Sequence, residues 1–358
     1  MPDKFIWKKF AEIDINDAFF NSLKDDYPEF PNWFQNKSEA GEKALVFQDE
    51  QGIEAFIYLK REKNEHIELV DRILPAVDRL KIGTFKLSER VQGLRLGEGA
   101  IGVSLWYWQQ TKYDEVYVTV FEKHVSLIDL LCRFGFICVG KSKRGEGVYL
   151  KKRKELNYSD SYKSFPFINS NFTKAGIVPI DENFHDRLFP YSELKGNNKD
   201  IEEETAGNGI TKVYIGSPYT AMHYSVGEPV FIYRIHTGNE QKTYKSAITS
   251  FCTITKIDII KDNGKPIFSL NDFIKNAGNK TVFTKEELSK IYNGKRGNLV
   301  MLEMVYNGFF GKGKNIIHKL LSDNGLFQKH PYEIELTKNQ FIQILNMGGA
   351  DVQNIIIN

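Results

Sequence analysis

The chain has 358 residues, 41% hydrophobic and 26% charged, with a formal net charge of +2; this is the profile of an ordinary globular protein long enough for two separate cores. Charge so near balance excludes bulk polyelectrolyte affinity, so any nucleic-acid contact has to rest on a local patch. Three cysteines without a C-x-x-C pair, Cys132, Cys138 and Cys252, argue against a disulfide framework or a zinc site and fit reduced thiols in a cytoplasm, and neither a signal-peptide core nor an apolar run of bilayer length is present.

In chain order, residues 15–24 read as a helix carrying Phe19, Phe20 and Leu23, and Phe30, Trp33 and Phe34 form an aromatic cluster around Pro31. Strands over 44–47 and 54–60 flank Asp49-Glu50-Gln51-Gly52, a hairpin signal. A further strand over 80–87 places Leu80, Ile82 and Thr84 on one face and leads into Gln92-Gly93-Leu94-Arg95-Leu96-Gly97-Glu98-Gly99. A helix beginning near Gly97 follows, with Ile101, Leu105, Trp106 and Trp108 at helical spacing over 100–113. A glycine-studded strand-to-helix turn brings unpaired backbone N–H groups and the positive helix end to one point, which favours a phosphate or pyrophosphate. Glycine permits the close approach, and Arg90 and Arg95 add positive charge at the rim. A strand over 115–120, a helix over 125–133, the element Phe134-Gly135-Phe136 and a short strand over 137–140 complete this half.

This order resembles the GNAT superfamily of acyl-CoA-dependent N-acyltransferases over about the first 150 residues. The family loop Gln/Arg-x-x-Gly-x-Gly/Ala falls on Gln92 through Gly97, with Arg95 in place of its central glycine. The later family signature falls on His124 through Phe136 and agrees at Leu130, Arg133, Gly135 and Phe136; His124 replaces an asparagine and Leu131 a tyrosine. That tyrosine commonly protonates the departing CoA thiolate, so the general acid is unassigned. The resemblance implies acetyl-CoA as cosubstrate, bound by Thr84, Phe85, Lys86 and Leu87 on the strand and by Gln92, Gly93, Leu94, Arg95, Leu96, Gly97 and Glu98 in the loop. Strand N–H groups near 84–87 would face the oxyanion of the tetrahedral intermediate.

The acceptor amine must lose a proton before it attacks, and no carboxylate stands out as the base. Glu89, Glu98 and Glu122 lie near the cofactor edge, where each equally fits a solvated surface charge. His124, titratable near neutrality, is the best single candidate and Glu89 the second; a structural role for His124 is the other reading.

Residues 153–174 read as a linker between a domain over 1–152 and a second over 175–358. The basic run Lys151-Lys152-Arg153-Lys154 fits a solvated edge or a phosphate contact. Beyond it, strands over 212–215, 230–235, 247–254 and 299–305 suggest a small twisted sheet or barrel. A helix over 284–292 opens with the capping box Thr284…Glu287, and a helix over 337–347 ends the domain. The stretches Ile177 to Pro190, Gly207 to Tyr214 and Gly227 to Arg234 resemble the PUA-like group that includes the ASCH and EVE families. The resemblance implies a small β-barrel with peripheral helices that binds RNA, tRNA or a modified base, with Tyr214, His223, Tyr233 and Arg234 as the contact residues. The tyrosines equally fit cross-strand core pairs. The expected whole is an α/β (α+β) protein, a mixed-sheet acyltransferase domain followed by the barrel, that moves an acetyl group from CoA to an amine, RNA-linked amines such as aminoacyl-tRNA included. A docking-assisted protein acetyltransferase and a non-catalytic acyl-CoA sensor are the alternatives.

Overall fold

The computed structural model describes residues 5–91, 93–192, 205–219 and 222–357. The chain divides into two compact units, Met1–Leu156 and Asn157–Asn358. Each is an α+β arrangement on a mixed sheet.

Among the described residues the first unit has seven strands, β1 (Ile6–Lys9), β2 (Lys43–Asp49), β3 (Gly52–Glu68), β4 (Ile73–Leu87), β5 (Glu115–Val120), β6 (Ile137–Lys141) and β7 (Gly147–Lys152). They lie in the order β1-β2-β3-β4-β5-β7-β6, antiparallel except for the parallel pair β4–β5. Four helices accompany them: α1 (Asn21–Asp26), α2 (Phe30–Glu39), α3 (Leu96–Gln109) and α4 (Val125–Arg133). The helix expected over 15–24 starts later. Asp17 caps a tight 3-10 turn at Ala18–Phe20, its carboxylate accepting the Phe19 N–H at 2.8 Å. Pro28 then bars helical geometry at Tyr27, so α1 stops at Asp26. Phe10, Phe20, Phe30, Phe34, Val46 and Phe56 pack as one cluster between α1, α2 and the sheet. β4 begins seven residues before the expected strand, because the hairpin arm it shares with β3 is charged and half exposed and so carries no apolar period. The tip of that hairpin reaches β6: Leu69 bridges Ser142, and the Val70 N–H donates to the Lys141 carbonyl at 2.9 Å. α4 ends in a Schellman motif. Gly135, at φ +80°, donates to Cys132 O, and Phe136 donates to Leu131 O at 3.0 Å, which is the physical content of the Gly-Phe signature.

The second unit has strands β8 (Ile168–Asn169), β9 (Lys174–Asp181), β10 (Thr211–Gly216), β11 (Pro229–Ile235), β12 (Ala247–Asp262), β13 (Lys265–Pro266), β14 (Leu299–Phe309), β15 (Ile316–Ile317), β16 (Leu336–Thr337) and β17 (Ile356–Ile357). The main path runs β10-β14-β12-β11-β9-β16, with β11 and β9 parallel. This corrects the expected barrel: among the described residues β10 and β16 do not pair, so the sheet is open. Its ends meet through side chains instead, the Tyr214 hydroxyl on β10 hydrogen-bonding to that of Tyr332, just ahead of β16. The sixteen-residue β12 breaks register with β14 three times, and these bulges give the sheet its curl. The capping box at Thr284 forms with Glu287. No described helix is long and apolar enough to cross a membrane.

Candidate functional site

The parallel pairing of β4 with β5 extends only from Arg79↔Glu115 to Ile82↔Val118. There β4 bulges: its register with β3 passes from Leu59↔Ile82 to Tyr58↔Thr84 and skips Gly83, where a Cβ would stand 3.0 Å from the Tyr58 ring. Past the bulge, β4 continues to Leu87 laddered to β3 alone, while β5 continues to Val120 beside β7. The two strands therefore part. Thr84, Phe85, Lys86 and Leu87 form one lip of the gap.

At the end of that lip stands the first turn of α3, where the Cβ direction of Gly97 meets Leu87 at 3.2 Å and Leu130 at 3.4 Å. Gly93 has φ +82° with open space around it, and Arg95 takes the left-handed conformation at φ +60° that the family supplies with glycine. Such a conformation costs a residue with a Cβ roughly 1–2 kcal/mol. The Arg95 guanidinium is buried and pairs with Glu98 at 2.9 Å, and Arg90 pairs with the buried Glu54. The positive rim expected from these two arginines is thus answered by carboxylates. Leu94 lies in the turn, Leu96 is buried, and the first helical bond is Gly99 N–H to Arg95 O, so the N–H groups of Leu96 and Gly97 lie outside the helical ladder. Gln92 lies outside the described residues.

Side-chain alternation assigns the faces. Thr84 and Lys86 stand opposite Tyr58 and Phe56, on the α1/α2 side, whereas Val116 and Val118, level with Leu80 and Ile82, take the other side. Tyr117 and Thr119 therefore share the α1/α2 face. On that face, at the end of β5, the Glu146 carboxylate accepts hydrogen bonds from Tyr27 Oη at 3.1 Å, Thr119 Oγ1 at 3.3 Å and Ser142 Oγ at 3.4 Å. Glu146 is 7% exposed. Burial and then the Glu146 charge push the Tyr27 phenol up, so it stays protonated and donates. The Tyr27 ring packs on Phe121 at 5.9 Å. Beside them a cavity of about 350 Å³ is lined by Asp26, Phe121, Glu122, Lys123 and Gly145. Lys86 reaches Ser22 and lies over the Phe19 ring, where burial lowers its pKa.

The two residues expected to do acid–base work are not brought together. His124 is exposed at the start of α4, with no side-chain capping bond, and Glu89 is exposed in the 3-10 turn Glu89–Val91. Glu122 is exposed and pairs with Lys141 at 2.7 Å. Leu131 is 1% exposed, so the position of the family tyrosine is part of the core. Glu146 was missed because Lys143-Arg144-Gly145-Glu146-Gly147 reads as a solvated turn; its partner Tyr27 is 119 positions away, and no local pattern announces that contact.

In the second unit, the four residues expected to contact nucleic acid do not line a common pocket. Tyr214 is 9% exposed and bonded to Tyr332; Tyr233 is buried against Phe327, with its hydroxyl 2.9 Å from His318 Nδ1. His223 is half-buried, its Nε2 2.8 Å from the Ile334 carbonyl. Arg234 is buried and donates to both Asp186 oxygens, at 2.7 and 2.9 Å, and lies 2.9 Å from Glu182. Tyr233 and Arg234 are successive residues of β11 and take opposite faces of the sheet, Tyr233 covered by the core cluster and Arg234 by the helix Glu182–Leu188, which corrects the expectation of an aromatic-walled surface pocket. Asp186 also stands 2.8 Å from Nδ1 of the fully buried His185, whose Nε2 is 2.7 Å from Thr249 Oγ1. Burial lowers the His185 pKa; burial would raise that of Asp186, but bonds from Arg234 and His185 overcome it and hold the carboxyl well below the usual range.

No family model and no curated protein matches this sequence. Solved structures similar to it include NAA60 from Arabidopsis thaliana in complex with acetyl-CoA, at 19% identity over 41% of this chain and 96% of that one, TM-score 0.29. A GNAT-family acetyltransferase from Streptococcus agalactiae is similar at 16% identity over 38% of this chain and 80% of its own, TM-score 0.28. A mutant ZmASCH protein from Zymomonas mobilis is similar at 8% identity over 48% and 95%, TM-score 0.32. Its solved neighbours thus include GNAT acetyltransferases and an ASCH protein, each over less than half of the chain.

Proposed function

We propose that the first unit is an acyl-CoA-dependent N-acyltransferase, with acetyl-CoA as donor and a primary amine as acceptor. The parting of β4 from β5 past Ile82↔Val118 carries this reading. A strand edge without its neighbour offers amide donors and acceptors to an extended chain containing amides, such as pantetheine. The turn at the end of that edge presents the N–H groups of Leu96 and Gly97, and the open space at Gly93 admits a diphosphate. Donor and acceptor then approach from opposite faces, the acceptor from the side of Tyr27 and Thr119.

A second reading, an acyl-CoA sensor without turnover, draws on Leu131: a buried aliphatic side chain cannot protonate a thiolate. Calorimetry with acetyl-CoA on the wild type and on Gly93→Val tests the binding that both readings share. Binding between low micromolar and millimolar, weakened about tenfold or more by a β-branched residue at positive φ, is the expected result. Gly97→Trp is unsuitable, since its side chain would meet Leu87 and Leu130 and disturb packing rather than the ligand. Absence of binding in the wild type overturns both readings; CoA release on mixing with amines separates enzyme from sensor.

A further inference from the structure

We propose that Glu146 is the general base of this site and that the acceptor is a primary ammonium admitted through the cavity beside it; this rests on the acyltransferase reading above. Two carboxylates, Asp26 and Glu122, line that cavity, and a third, Glu29, pairs with the residue before its Gly145. Asp26 is paired with Lys123 at 2.7 Å, Glu122 with Lys141, and Glu29 with Arg144 at 2.9 Å. Glu146 differs: the side-chain bonds to its carboxylate come from three hydroxyls, those of Tyr27, Thr119 and Ser142. Hydroxyls fix the orientation of a carboxylate without cancelling its charge, and near-complete burial strengthens that charge toward an arriving cation. Gly145, next to Glu146 in the chain, and Asp26 and Phe121, next to and packed on its partner Tyr27, line the cavity, so the residues that hold the carboxylate adjoin that lining.

The step balances. The ammonium R–NH₃⁺ gives one proton to a Glu146 oxygen, and the freed nitrogen lone pair attacks the thioester carbonyl. The tetrahedral oxyanion collapses with cleavage of C–S, the nitrogen loses a second proton, and the thiolate takes it up, leaving an amide and CoA–SH. The charged groups around the cavity and the Tyr27–Glu146 pair are Asp26 at the end of α1, Glu122 and Lys123 beyond β5, and Arg144 from the β6–β7 hairpin; Tyr27 itself is neutral.

The test uses the full chain, acetyl-CoA and a set of amine probes: lysine amide, an alanine-initiated pentapeptide, spermidine, and water alone as a control. Release of CoA thiol is followed from pH 5 to 9. Glu146→Gln is expected to lower the rate on the order of 10²-fold across that range, with acetyl-CoA affinity unchanged and Glu146→Asp restoring part of the rate. A rate within twofold of wild type in Glu146→Gln overturns the assignment. So does a wild-type chain that binds acetyl-CoA and releases no thiol with any probe, because the base then has nothing to deprotonate. A chain that does not bind acetyl-CoA overturns the acyltransferase reading itself, which keeps the two failures distinct.

Discussion

Glu146 in the first unit and Asp186 in the second are both buried carboxylates, held in opposite ways. Asp186 receives a bidentate Arg234 and a histidine, while Glu146 receives hydroxyls. A carboxylate answered by a guanidinium has spent its field inside the protein and belongs to the fold. One oriented by neutral donors keeps its field for something that arrives. Burial alone does not separate the two; the charge of the partners does.

The comparison breaks first at Asp186. Asp186→Ala strands Arg234 in the interior with only Glu182 beside it and is expected to cost about 3 kcal/mol or more of stability, read by urea denaturation, with acetyl-CoA binding untouched. Glu146→Gln is the inverse case, because the amide keeps acceptor capacity toward the hydroxyls. Its stability cost is expected to stay under about 1 kcal/mol while the rate falls. If the two swapped, with Glu146→Gln unfolding the chain and Asp186→Ala leaving it intact, the distinction would fail.

Acid sharpens the contrast within the second unit. His185 is neutral in the fold because burial depresses its pKa, whereas in the unfolded chain it titrates near the usual value of about 6.5. The unfolded state therefore binds the extra proton, and stability falls as the pH drops below about 6.5, with His318 acting in the same direction. The depressed Asp186 adds stability that is present above about pH 4 and is lost only in stronger acid. Thermal melts from pH 8 to 5 should show the decline, and His185→Gln should flatten it. Tyr27→Phe, which deletes one donor to Glu146, should cost about 1 kcal/mol in a urea melt.

Local pattern made much of the first unit legible. The apolar alternation of 115–120, the amphipathic period of 125–133 and the Gly-Phe stop all became elements with those bounds, because each is decided by residues within a few positions of one another. The charged hairpin arm before residue 80 was not legible, since its strands are fixed by pairing across the hairpin and by Arg79. That buried guanidinium bonds Glu115 at 2.6 Å and the carbonyls of Glu65 and Pro75. The strand parting was half legible: the turn at Gly93 could be read, but the bulge at Gly83 and the end of pairing at Ile82 are properties of register. The acceptor side was not legible at all. Tyr27, Thr119 and Glu146 meet from three distant segments, and each alone looks like an ordinary surface residue.

The tip of the β3–β4 hairpin has a bearing on how this protein behaves in a crowd. By donating the Val70 N–H to Lys141 and bridging Leu69 to Ser142, it caps part of the outer rim of β6, one margin of the seven-stranded sheet. The other margin is β1, four residues long and carrying Lys8 and Lys9. Exposed strand margins are templates on which a second chain can add itself and begin a fibre, and brevity, lysine and a covering loop are the means by which that addition is discouraged. The hairpin that lengthens β3 and β4 thus guards the sheet against strand addition by other copies of the chain, and shortening it would be felt first as turbidity in concentrated solution.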